Sequence, residues 1–152
     1  MQARPNPYKT VHGAYKAMSG LQAFVDASGL ERPLLELVKL RASQINGCAY
    51  CVDMHYRDAR QNGETEERLA LIAVWREAPV FTPRERAALA WTEATTLIAG
   101  TGVSDELFEA TSQHFKGDEL VKLTLAVVAI NSWNRVSVAF AIPPRLASAK
   151  AS

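Results

Sequence analysis

Only two cysteines occur in 152 residues, like charges form no block and no apolar run is long, and each shortage closes off a class of protein. Seventeen basic and sixteen acidic residues leave a formal charge of +1, so no nucleic-acid or anionic-membrane surface is expected. The longest nearly apolar stretch, residues 123–130, is interrupted by Thr124 and falls far short of the roughly 20 residues a spanning helix requires. The opening residues 1–9 carry prolines and polar groups without the apolar core or small-residue cleavage site of a secretory signal, and a cytoplasmic location is the expectation. Clean apolar/polar alternation is also missing, which leaves little room for strands.

What is present is the material of one compact domain, with 48% hydrophobic and 22% charged residues. We expect a single domain over 1–152 with its core between about 18 and 144. Apolar residues recur at spacings of three and four through most of the chain, so the expected fold class is all-α. The spacing predicts a first helix over 10–27, with Val11, Ala14, Met18, Leu21 and Val25 on one side. A second should run from Pro33 to about Ile45 and stop at Asn46-Gly47, a dipeptide suited to left-handed backbone.

The third helix is expected over 48–61, with both cysteines in its first turn, and a short helix capped by Thr65 should follow to about 75. Thr82-Pro83-Arg84-Glu85 combines an N-cap threonine, a proline in the first turn and the glutamate of a capping box. The helix behind it should reach Ile98 and end at Gly100, with another from about Ser104 to Phe115. The last, from about 118 to 138, is apolar on nearly every face, which places it centrally or in a subunit interface.

Chemistry concentrates in Cys48-Ala-Tyr-Cys51-Val-Asp-Met-His55. Two cysteines placed at random in such a chain would fall three apart only about once in 80 trials. At this spacing a disulfide is within reach, and His55, four residues beyond Cys51, shares its helix face. Unpaired amides at a helix start favour a thiolate, so the thiol should be reactive. Glu36, among Leu34, Leu35, Leu37 and Val38, is either turned to solvent or held inside, where the Asn46-Gly47 turn would bring it toward Cys51 and His55. Desolvation would there raise its pKa toward neutrality, giving a proton acceptor and donor.

Other readings of the pair remain open. A zinc site would use Cys48, Cys51 and His55 with a fourth ligand from His12, His114 or a carboxylate. Inert buried thiols are the plainest case. A thioredoxin-like motif would need a flanking βαβ pattern, which is not visible. Tyr50 is either a wall of the site or an ordinary packed aromatic. Asn131, Trp133, Asn134 and Arg135 read as packing or subunit contacts, Arg135 also as a partner for an acid on a neighbouring helix. Trp75 and Trp91 read as core, His12 and His114 as surface.

Glu36, the Asn46-Gly-Cys-Ala-Tyr-Cys51 segment and His55 resemble, in order and spacing, the Glu, Cys-x-x-Cys and His pattern of the AhpD-like alkylhydroperoxidases of the carboxymuconolactone decarboxylase superfamily. The segments 41–47 and 130–135 also look like the small members of that group. The resemblance implies an all-helical homotrimer or homohexamer that reduces organic hydroperoxides without a cofactor, with hydrogen peroxide as a further substrate left open. It implies Cys51 as peroxidatic thiol, Cys48 as resolving thiol, Glu36 and His55 as proton relay, and an external dithiol, such as a lipoyl-bearing protein, as reductant. Tyr50 stands where the best-studied type has a second histidine, and a phenol is a poor base at neutral pH. A non-enzymatic redox sensor or assembly protein, or a zinc-stabilised helical domain, are the alternatives.

Overall fold

The computed structural model describes residues 4–145, and among these there are helices and turns but no strands. The elements are α1 (Pro7–Thr10), α2 (Ala14–Asp26), α3 (Arg32–Ile45), α4 (Ala49–Gln61), α5 (Glu66–Leu71) with a 3-10 turn behind it (Ile72–Val74), α6 (Pro83–Thr96), α7 (Ile98–Thr101), α8 (Asp105–Ser112) and α9 (Glu119–Ala139).

Helix α3 is the hub, packing against α4, α6 and α9. Its residues 34 to 40 are all buried, so the helix has no solvent face there. Leu34, Leu35 and Val38 join Val25 of α2, Trp91 of α6, Phe115 and Leu123, Ala126 and Val127 of α9 in one cluster. On its other side Leu37 and Leu40 join Ala59, Leu69, Ile72, Trp75, Phe81 and Leu89. A third cluster, Ala42, Cys48, Cys51 and Ile130, lies where α3, α4 and α9 converge. A helix wrapped on every side must bring its polar residues inside as well, and the cost of burial is met only if they find partners.

Several boundaries depart from the sequence expectation for local reasons. The predicted first helix is broken, because Val11 is extended and Gly13 takes φ 90°, so that α2 starts at Ala14. The capping box at Thr82 and Glu85 forms as expected. The helix behind it stops at Thr96, however, and the short α7 carries the chain past Gly100 to Gly102. Cys48 is the N-cap of α4 rather than a first-turn residue. The last helix is central as expected: Leu120, Leu123, Ala126, Val127 and Ile130 are buried, while Val121, Val128 and Val138 stay exposed in the single chain. No helix of the described residues is long and apolar enough to cross a membrane.

Candidate active site

The α3–α4 connection sets the geometry. Gly47 adopts φ 64°, and the Cys48 amide bonds back to the Ser43 carbonyl at 3.0 Å, so the chain reverses within three residues of the helix end. The Asn46 side chain anchors this turn to α9, donating to Asn131 Oδ1 and Asn134 Oδ1, both at 2.9 Å. Asn134 in turn donates to Ser43 Oγ, which donates to the Lys39 carbonyl. The asparagines expected to serve packing thus brace the turn that carries the cysteines. Arg135 donates to the carbonyl and side-chain oxygens of Asn131 one turn before it on the same helix.

Cys48 and Cys51 are joined as a disulfide, with α-carbons 5.4 Å apart, and each is 1% exposed. The Cys51 amide points at Cys48 Sγ at 3.3 Å. Reduction of the bridge would therefore leave the Cys48 sulfur facing a helix-start donor, which favours charge on sulfur. Tyr50 is half-buried against this cluster, and the Arg145 guanidinium lies 5.7 Å from its ring centre.

One turn beyond Cys51, His55 is buried and meets Glu36, with Nδ1 to Oε2 at 2.8 Å. Glu36 is 4% exposed, so it is held inside rather than turned to solvent. Its other oxygen, Oε1, accepts from Lys39 Nζ at 3.0 Å. Lys39 is itself 7% exposed and lies 3.9 Å from the exposed Asp26 carboxylate. Burial alone would raise the Glu36 pKa, as the sequence reading expected, but the His55 hydrogen bond and the Lys39 charge outweigh it and hold the carboxyl below its ordinary value. That expectation is corrected: Glu36 is a carboxylate at neutral pH, an acceptor and orienter rather than a proton donor.

Lys39 and the brace around Asn46 were not singled out in the sequence as parts of the site. Opposite charges three apart inside an otherwise apolar run, Leu34 to Leu40, were the available signal for Lys39. For the zinc alternative, the only group of three or more carboxylate, imidazole or thiol donors drawn within 4.8 Å among the described residues is Glu36, His55 and Asp58. Neither cysteine belongs to it, and the Lys39 ammonium already occupies one Glu36 oxygen, so this donor set does not suit a cation. His12 is exposed beyond α1, and His114 presents its carbonyl to Arg84.

Known proteins share this architecture. YdfG of Bacillus subtilis (strain 168) is 40% identical over 139 residues, covering 91% of this chain and 95% of that protein. The crystal structure of ATU0492 from Agrobacterium tumefaciens, a protein of unknown function provisionally assigned to antioxidant defence as AhpD, superposes with a TM-score of 0.93 at 46% identity, covering 96% of this chain and all of that one. The debrominase Bmp8 shares the fold, with a TM-score of 0.76 at 18% identity over 88% of this chain and 70% of its own. The carboxymuconolactone decarboxylase family pattern matches residues 12–94, spanning α2 to α6 and including Glu36, both cysteines and His55. The chain is an AhpD-like member of the carboxymuconolactone decarboxylase family.

Proposed function

We propose that this protein is a thiol peroxidase that reduces organic hydroperoxides through its cysteine pair. The observation that carries the reading is the buried Glu36–His55 pair, 2.8 Å apart, set one helical turn from a Cys48–Cys51 disulfide. In the reduced protein, His55 takes the Cys51 proton while Glu36 fixes the imidazole through Nδ1 and leaves Nε2 as the acceptor. The Cys51 thiolate attacks the terminal peroxide oxygen, the O–O bond breaks, and the departing alkoxide takes the proton back from His55 as alcohol. Sulfur is oxidised by two electrons to the sulfenic acid, and the peroxide is reduced by two. Cys48 then displaces hydroxide from the sulfenic sulfur, giving the disulfide and, with the Cys48 proton, water. A dithiol reductant restores both thiols and leaves as its own disulfide. A lipoyl group is the reductant this reading favours, and a homotrimer or homohexamer the assembly.

Two substitutions test it. Cys51→Ser should abolish peroxide reduction, while Cys48→Ser should allow one turnover that stops at a sulfenic acid, detectable by mass spectrometry after dimedone trapping. Equal and undiminished activity in both variants would overturn the assignment. A redox sensor with the same bridge would show slow oxidation and no sustained turnover with a dithiol, which separates it from an enzyme.

A further inference from the structure

Lys39 of α3 lies in the interior between Glu36 of its own helix and Asp26 at the end of α2, and no step above uses it. Lysine is among the residues least often buried, and an unpaired buried ammonium is costly, so its partners define its role. It faces Glu36 Oε1 at 3.0 Å and Asp26 at 3.9 Å. Across from it on α4, Asp58 and His55 share a space of 4.8 Å with Glu36. The remaining elements packed on α3 contribute no free charge here: α9 meets the Lys39 carbonyl through Ser43 and the neutral Asn134, and Glu93 of α6 is taken up by Arg41, Arg76 and Trp75. The Trp75 indole follows the 3-10 turn and is neutral. Among the described residues, Lys39 is thus the one ammonium set against three carboxylates and an imidazole.

We propose that Lys39 is a positioning residue of the thiol site, whose ammonium compensates the Glu36 carboxylate so that His55 remains free to accept the Cys51 proton. The inference rests on the peroxidase reading for its consequence in turnover. The division of the carboxylate is the geometric ground: one oxygen serves Lys39 and the other serves His55. With Lys39 present, the charges of Glu36 and Lys39 sum to zero. Without it, the buried carboxylate is left with two acidic neighbours, Asp26 and Asp58, and one imidazole partner, and the lowest-cost response is to hold a proton on the Glu36–His55 pair to higher pH. Removing the ammonium also takes a positive charge from the surroundings of Cys51, so the thiol gives up its proton only at higher pH. A lysine that merely filled space or satisfied the helix would leave the proton balance of the site unchanged when replaced.

The test uses the full chain in a Cys48→Ser background, so that Cys51 is the one thiol reporting. Lys39→Met, Lys39→Gln and Lys39→Arg are compared with that background by two readouts across pH: iodoacetamide alkylation of Cys51, which needs no peroxide, and single-turnover consumption of an alkyl hydroperoxide. The proposal expects the half-point of alkylation to rise by about one pH unit in Lys39→Met and Lys39→Gln, with a roughly tenfold slower peroxide reaction at neutral pH. Lys39→Arg keeps the charge and should leave the half-point with the background. An unmoved half-point in both neutral variants, whatever their melting temperature, would overturn the proposal, as would an arginine variant shifted as far as the others. Should Lys39→Met fail to fold, the glutamine and arginine variants decide by the same criteria. Shifted alkylation with no peroxide consumption even in the background would support the role of Lys39 and overturn the peroxidase reading instead.

Discussion

Two enclosed carboxylates, buried Glu36 and half-buried Glu93, show what separates a reactive site from a structural joint in this fold. Both are held below the ordinary carboxylate range against the desolvation that would raise them. Glu93 of α6 is taken up by Arg41 at 2.7 Å, by the Trp75 indole at 2.9 Å and by Arg76. Those donors keep their protons at every physiological pH, so the cluster ties α3, α6 and the segment after the 3-10 turn together and does nothing else. Glu36 has one fixed donor, Lys39, and one that can lose its proton, His55. Only the second arrangement includes an imidazole, a group type that can both accept and donate a proton, and it alone lies one helical turn from Cys51. A buried ion pair becomes chemistry when one partner titrates within reach of a nucleophile.

Breaking the comparison at its reactive end should give the largest effect. Glu36→Gln removes the acceptor that orients His55, and we expect single-turnover peroxide reduction to slow by about 10²-fold, read by stopped-flow thiol loss, with the helical circular dichroism unchanged. Glu93→Gln is the mirror experiment. It leaves the half-buried Arg41 without its charge partner and should cost about 2–3 kcal/mol in urea unfolding, while the peroxide rate of the folded protein stays within about twofold. If the two variants exchanged these phenotypes, the distinction would be wrong.

Acid sharpens the same contrast. Because both carboxyls sit below their ordinary value of 4.5, the unfolded chain binds more protons than the folded one in acid. The stability they lend is complete above about pH 4.5 and is lost as pH falls through their folded values. Glu93→Gln should therefore flatten the acid limb of a melting-temperature profile while lowering the plateau. The smallest effect is expected at the brace: Asn134→Ala removes partners from Asn46 and Ser43 and should cost about 1–2 kcal/mol in urea unfolding.

The pattern of what could be read in advance follows the range of the interactions. Cys51 and His55 share a face because four residues span one helical turn, and that is legible in any helix. Thr82 and Glu85 form their box by the same local rule. Glu36 was legible as a residue of interest, but the direction of its pKa shift was not, since that depends on Lys39 being inside. A lysine ordinarily reaches solvent, and only the enclosure of α3 by α4, α6 and α9 keeps this one from doing so. The Asn46–Asn134 and Arg41–Glu93 contacts join positions 88 and 52 residues apart, and nothing in local pattern links them. The break at Gly13 and the stop at Thr96 were missed because helix periodicity continued through both.

The central claim is that the reduced pair meets a hydroperoxide as an enzyme does, and the most direct measurement is the stoichiometry and rate of thiol loss when reduced protein is mixed with a limiting alkyl hydroperoxide. The account predicts two thiols lost and one alcohol formed per peroxide consumed, at a rate far above that of free cysteine at the same pH. Thiol loss no faster than free cysteine, or without the matching alcohol, would contradict it.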